Sequence, residues 1–264
     1  RGGAIKNTAM AAAATLPAPP DPTASSIRPL AAQLRNEGRH EEALRTIGRH
    51  LRASSSSASA LNAAARLCNE LALSSMREGE GEGYSLDAAF EYLQVSLGMR
   101  GTTRELQAVS LNNLSIFYSR TAQPQRALRC LLQARRRSGA PRRRGPRRGA
   151  AEGSEDDIRV HVALNLTAVL ADLGRHREAL EMAHEAVEDL RRDAVERGEA
   201  PQASLLSAAY HNLAVQQERL GAARGHVLSY RAAIQAARRC GEEPHRGGGP
   251  PLITSRPLTA RRCG

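Results

Sequence analysis

Three asparagines stand directly before leucines at matching places in the chain: Asn113 before Leu114, Asn165 before Leu166 and Asn212 before Leu213. An amide side chain offers both a donor and an acceptor. Repeated at one level of a helical surface, such groups can hold the backbone of an extended peptide whatever its sequence. Asn112, His161, His211, Glu218 and Arg219 lie close enough in sequence to add side-chain selectivity. Other chemistry is harder to find. His184-Glu185 is followed by Ala-Val-Glu, so the two-histidine zinc motif is missing. His40 and His176 fall in turns and are expected in solvent. Cys68, Cys130, Cys240 and Cys263 contain no paired Cys-x-x-Cys. The Glu-Gly alternation through Gly83 has no Lys-Ser/Thr after it and repels anions, so it is read as an enlarged turn. No catalytic residue, metal or cofactor is expected.

Arginine is the second chemical signal. Arg135, Arg136, Arg137, Arg142, Arg143, Arg144, Arg147 and Arg148 carry +8 with no acid between them. The formal net charge is +11, so the remaining chain is about +3, by 11 minus 8. The run could meet RNA, acidic lipid or an acidic protein tail by releasing counterions. It has no interleaved aromatics for base stacking. Polyanion or nucleic-acid binding is therefore kept as the alternative to peptide binding, and a plain Arg-biased insertion stands beside it.

The elements that must position these groups are helices. Hydrophobic residues make up 41% of the 264-residue chain but aromatics only 3%, so alanine and leucine carry the apolar faces. That favours close-packed helices over a sandwich of strands. Leu111, Leu114 and Tyr118 share one helical face; after a break at Ala122-Gln123-Pro124, Ala127, Leu131 and Ala134 share another. The same hairpin recurs. Leu30 and Leu34 precede Gly38, with Ala43, Ile47 and Leu51 after it. Leu61, Ala64, Cys68 and Leu71 precede Ala88, Tyr92 and Val95. Leu166 and Leu170 precede Gly174, with Ala179, Ala183 and Ala186 after it. Tyr210, Leu213 and Ala214 precede Gly221, with Tyr230 and Ala233 after it. Pro29 is expected to open the first helix. Residues 1–26 and 241–264 are expected to be disordered, as is the insertion at 135–153, leaving a helical array over 27–240. Met10 reads as a start, with residues 1–9 upstream of it.

Aligned on their turns, Gly38, Ala122, Gly174 and Gly221 are each followed five residues later by Ala43, Ala127, Ala179 and His226. Gly38 to Leu44 (GRHEEAL) and Gly174 to Leu180 (GRHREAL) are near-duplicates. This pattern resembles the tetratricopeptide repeat, a helical hairpin of about 34 residues. The resemblance implies an all-α fold: a right-handed α-solenoid of about five hairpins whose first helices line a concave groove. Two features depart from the family. Ala43, Ala88, Ala127, Ala179 and His226 are 45, 39, 52 and 47 residues apart. His226 also takes the place of a small residue, so a local distortion of the last hairpin is expected.

The stretch from Leu111 to Arg135 resembles the kinesin-light-chain type of repeat, and the resemblance implies that Asn113, Asn165 and Asn212 grip a partner's peptide in the groove. The paired basic clamp of chaperone-binding members is not reproduced. A non-enzymatic adaptor or scaffold is the expected function, and a regulatory part of a larger enzyme is a third reading. The tail does not supply a closing helix, so a partner or a second copy is expected to cover the last hairpin. Lack of any long apolar stretch excludes a helical membrane span. The cysteine usage fits a reducing compartment, read as cytoplasmic, with a cytoskeletal or nuclear setting as alternatives.

Overall fold

The computed structural model describes residues 24–53, 57–76, 85–139, 158–198, 200–222 and 224–242. Every regular element among them is a helix, and the order is α1 (Ala24–Asn36), α2 (His40–Ala53), α3 (Ala58–Ser75), α4 (Leu86–Gly98), α5 (Arg104–Arg120), α6 (Pro124–Ser138), α7 (Ile158–Asp172), α8 (His176–Arg197), α9 (Ala203–Arg219) and α10 (Gly225–Glu242). Consecutive helices pair as five hairpins. Each first helix also packs on the second helix of the hairpin before it and on the first helix before that. Second helices meet one another only through a few side chains, such as Arg135 of α6 with Glu185 of α8 and His40 of α2 with Tyr92 of α4. The stack therefore bends with the first helices inside, and the fold is an all-α, tetratricopeptide-like solenoid.

The turn chemistry repeats as the sequence implies. Gly38, Ala122, Gly174 and Gly221 all sit in the left-handed region, with φ of 72°, 56°, 73° and 76°. In each, the following N–H reaches back to close the helix end: Arg39 to the Leu34 carbonyl, Gln123 to Tyr118, Arg175 to Leu170 and Ala222 to Gln217, all at 2.8 Å. That is the six-to-one bond of a Schellman ending, which suits glycine because it has no Cβ to clash. Ala122 is the exception. Ala122→Gly is expected to stabilise the fold by about 1 kcal/mol, read as a raised urea midpoint with an unchanged slope. In the two near-duplicate turns, Arg39 forks onto Glu42 and Arg175 onto Glu178, pinning the first turn of α2 and α8. Ser57, Ser85 and Thr103 cap α3, α4 and α5 by accepting from Ala60, Ala88 and Leu106 N–H. Such caps contribute about 1 kcal/mol each.

Packing explains why the first helices show weak amphipathic periodicity. A helix buried on several sides must be apolar on several sides. α5 gives Leu106 and Leu114 to the apolar cluster of the first hairpins, and Ala108 and Leu111 to the next. α7 gives Val162 and Leu166 to that second cluster, and Val160, Ala163 and Leu164 to a third shared with α8 and α9.

Several expectations are corrected. α1 begins at Ala24, so residues 24–26 are helical and Pro29 lies within the helix rather than opening it. The buried stripe of α1 is Ile27, Ala31 and Leu34; Leu30 is 41% exposed. Val95 is likewise exposed, and α4 buries Ala88, Ala89, Tyr92 and Leu93. α6 continues to Ser138, so Arg135, Arg136 and Arg137 belong to a helix and not to a structureless insertion. The apolar spacing Leu128, Leu131, Ala134 carries the helix on, and it stops at Gly139, whose φ is 77°. α10 runs to Glu242, so residues 241–242 are helical too. Residues 1–23, 140–153 and 243–264, where the remaining disorder was expected, lie outside the described residues. At the last hairpin the bulk of His226 is turned aside: its Nδ1 lies 3.1 Å from the Ala222 carbonyl and its ring 6.3 Å from Tyr230. α10 begins four residues after Gly221, where α2, α6 and α8 begin two residues after their turns. Gly225 permits the close approach of α9, since a Cβ there would come within 3.3 Å of the Gln217 side chain.

Candidate functional site

The inner face is built from the first helices, and its geometry is set by one position counted back from each turn. Asn113, Asn165 and Asn212 are nine residues before Ala122, Gly174 and Gly221. The corresponding residue of α1 is Pro29, nine before Gly38. In α3 it is Glu70, placed by its leucine. The residues that follow are Leu30, Leu71, Leu114, Leu166 and Leu213.

These positions meet across the stack on a diagonal. The residue preceding the position in one first helix pairs with the residue at the position in the next. Arg28 Nη1 is 2.8 Å from Glu70 Oε2. Asn113 Nδ2 donates to Asn69 Oδ1 at 2.9 Å. Asn165 Nδ2 donates to Asn112 Oδ1 at 2.9 Å. The fourth step fails for a chemical reason: the residue preceding Asn165 is Leu164, which has no acceptor. The Asn212 side chain accordingly makes no hydrogen bond among the described residues and stays half-buried.

Asn113 therefore does not open into the groove. It is 4% exposed and Asn112 is 5% exposed, and their amides are used between helices. A turn of about 100° per residue carries a side chain off a stripe, but α5 is covered on nearly every side, so the next residue round is covered too. Asn69 completes this network and was not singled out from the sequence. Its amide approaches the Ala65 carbonyl at 2.8 Å, Ser110 Oγ at 2.9 Å and Ser96 Oγ at 3.1 Å. The available signal was its place, two residues before Leu71, matching Asn112 before Leu114.

Three further rows run across the inner face. Leu73, Ile116, Ala168 and Val215 lie three residues after the diagonal position and are all half-buried, forming an apolar strip open to solvent. Arg120, Asp172 and Arg219 lie seven residues after it and form a charged margin. Arg120 Nη1 donates to the Met76 carbonyl, while Asp172 has no ion pair among the described residues and desolvation raises its carboxyl pKa. Val109, His161 and Ala208 border the other side, half-buried. The remaining predicted residues lie at the far end. His211 is exposed, with its ring 5.9 Å from Tyr230. Glu218 accepts from the Tyr230 hydroxyl at 3.0 Å, and Arg219 is exposed.

The turn histidines are not solvated as expected. His40 is half-buried, Nδ1 lying 3.4 Å from the buried Tyr92 hydroxyl, and His176 Nδ1 lies 3.0 Å from Gln216 Oε1. Both join a hairpin to its successor. Of the arginine run, Arg135 is bound to Glu185 at 2.6 Å, Arg137 donates to Gln107 at 3.1 Å, and Arg136 is exposed. Arg142, Arg143, Arg144, Arg147 and Arg148 lie outside the described residues. Among the described residues no group of His, Cys, Asp or Glu could hold a metal ion, and no helix is long and apolar enough to cross a membrane.

No protein-family model matches the chain, and neither does any curated protein. Among solved structures, one titled "Crystal structure of MamA" aligns with TM-score 0.49 and 14% identity over 81% of this chain and 98% of that one. A second, titled "Crystal structure of MamA protein", aligns with TM-score 0.47 and 14% identity over 86% and 98% respectively. The fold rests on the helix order, turns and packing described above.

Proposed function

We propose that the protein is a non-enzymatic adaptor that holds an extended peptide of a partner along the inner face of its first helices. One observation carries this reading. A strip of half-buried apolar side chains, Leu73, Ile116, Ala168 and Val215, runs across four successive hairpins beside the amides of Asn165 and Asn212. An extended segment can lay alternate side chains on the strip and offer its backbone to those amides. The likeness to kinesin-light-chain units is then narrower than the sequence suggests. Asn165 and Asn212 do the holding, and Asn113 fixes the spacing between α3 and α5. His161 and Arg219 border the same track. A reducing, cytoplasmic setting accords with thiols kept apart in sequence.

The test is selection of binders from a random peptide library on the full-length chain. Selected peptides are expected to lose at least about tenfold in affinity with Asn165→Ala/Asn212→Ala or with Val215→Glu. Retained affinity in both variants, with circular dichroism unchanged, sinks the groove reading. Among the described arginines of the run, exposed Arg136 favours the alternative, polyanion binding, whereas Arg135 and Arg137 are engaged. Removing residues 140–149 separates the two. Peptide capture should survive the deletion, whereas heparin binding that is steep in salt and lost on deletion supports the alternative.

A further inference from the structure

The last hairpin carries an open socket for one more helix. In α8, Leu180, Val187 and Leu190 lie six, thirteen and sixteen residues after Gly174, and they pack into one cluster with Leu205, Ala209 and Leu213 of α9. Leu44 and Leu51 of α2, six and thirteen after Gly38, pack likewise on the cluster of the next hairpin. Leu128 of α6, six after Ala122, is buried against the cluster that contains Val162 and Leu166 of α7. The same places in α10 are Val227, Ile234 and Ala237. Val227 is 40% exposed, Ile234 is 54% exposed, and neighbouring Leu228 is 65% exposed. The face that α2, α6 and α8 use to receive their successors is thus present and uncovered.

Charge says what should cover it. From Arg224 to the end of α10 the sequence contains Arg224, Arg231, Arg238 and Arg239, all exposed, against one acid, Glu242, at the last position of the helix. Elsewhere in the stack such arginines are met from the adjoining helices. Arg135 of α6 pairs with Glu185 of α8, and Arg159 of α7 with Asp193 at 3.6 Å. Arg191, the counterpart of Arg238, lies over the Tyr210 ring at 5.6 Å. A second copy stacked head to tail would bring α1, which carries Arg28 and Arg35 and no acid. That would set like charges together. The sequence after Glu243 is also basic, with Arg246, Arg256, Arg261 and Arg262.

We infer that the outer face of α10 docks an acidic amphipathic helix of another protein, seated on Val227, Leu228 and Ile234 and flanked by Arg231 and Arg238. Its apolar residues recur every four positions, as Leu205, Ala209 and Leu213 do, with carboxylates beside them. This surface is separate from the inner groove, so both can be filled at once.

The probe is a fluorescein-labelled helical peptide of about five turns, with leucine on one face and glutamate on its flanks, titrated into the full-length chain and followed by anisotropy. A second peptide has lysine in place of glutamate. The acidic peptide is expected to bind, weakening as salt rises, and the lysine peptide should bind at least about tenfold more weakly. Val227→Glu/Ile234→Glu and Arg231→Glu/Arg238→Glu should each weaken the acidic peptide at least about tenfold. All four positions are exposed, so folding should survive, and circular dichroism checks it. Equal binding of the two peptides, binding of neither, or indifference to both variants overturns the inference. So does binding to phosphatidylserine vesicles without binding to the peptide. A dimer by sedimentation that persists under saturating acidic peptide and dissociates with Val227→Glu/Ile234→Glu would assign the face to a second copy and overturn it as well.

Discussion

Asn69→Ala is expected to destabilise the fold by about 3 kcal/mol, the sum expected when several buried polar groups lose one shared partner. Asn69 is 4% exposed. Its amide has two protons and three acceptors within reach, the Ala65 carbonyl, Ser96 Oγ and Ser110 Oγ, so one proton is shared. Its carbonyl receives Asn113 Nδ2 at 2.9 Å. Alanine leaves the Asn113 amide without that acceptor in a space closed to solvent. Three helices lose a common tie: α3 through Asn69, α4 through Ser96, and α5 through Ser110 and Asn113. Asn212→Ala is the matched control, expected to change stability by less than about 0.5 kcal/mol, because Asn212 lacks a partner to abandon. Asn69→Ala/Asn113→Ala should cost less than the two single changes added together, since the second removes a group the first left stranded. Urea denaturation followed by circular dichroism measures all four. A cost below about 1 kcal/mol for Asn69→Ala would show that water replaces the network and that it ties nothing together.

Leu131→Ala should cost about 2–5 kcal/mol, and Leu132→Ala next to it under about 1 kcal/mol. Leu131 is fully buried in the cluster shared by α5, α6 and α7, whereas Leu132 is 43% exposed at the open cleft that α6 forms with α7 and α8. Truncation at Leu131 removes transfer energy and leaves a cavity between rigid helices that cannot collapse far. The pair tests hairpin orientation: a stack turned by one residue would reverse the order. Thermal and urea midpoints should agree on which variant is weaker. Two distinct transitions in Leu131→Ala would show that the array uncouples at α6, which a quasi-one-dimensional stack permits.

Much of the fold is written locally. The turns at Gly38, Gly174 and Gly221 are legible because a left-handed residue with an apolar stripe on either side has few other meanings. Ala122 is legible only by alignment with them. The second helices read better, since most keep one open side; α4, where Val95 is exposed, is the exception. The first helices read poorly. α5 and α7 are wrapped by neighbours, so apolar residues occur round most of their circumference and periodicity no longer fixes which way an asparagine points. That is why Asn113 was placed in the groove and lies between helices instead. Leu30 reads wrongly for the opposite reason: it holds the same register as Leu71 and Leu114, but among the described residues no helix covers that side of α1. The diagonal pairing of Asn69 with Asn113 and of Asn112 with Asn165 depends on residues 44 and 53 apart, which no local window joins.

The diagonal also bears on how such a chain can change over generations. Its pairs are set by the nine-residue step from Asn113 to Ala122, Asn165 to Gly174, or Asn212 to Gly221, a distance contained within one helix and its turn. The stretch from a second helix to the next first helix does not enter that count. It can lengthen or shorten without shifting any rung, as the 52-residue step from Asn113 to Asn165 and the 47-residue step from Asn165 to Asn212 illustrate. Insertions between hairpins are neutral to the stack, while a single residue added inside a first helix would rotate its rung by about 100° and break the pair. Differences in length between the hairpins of this chain thus fall in the connections, and what the hairpins share is a spacing rather than a period.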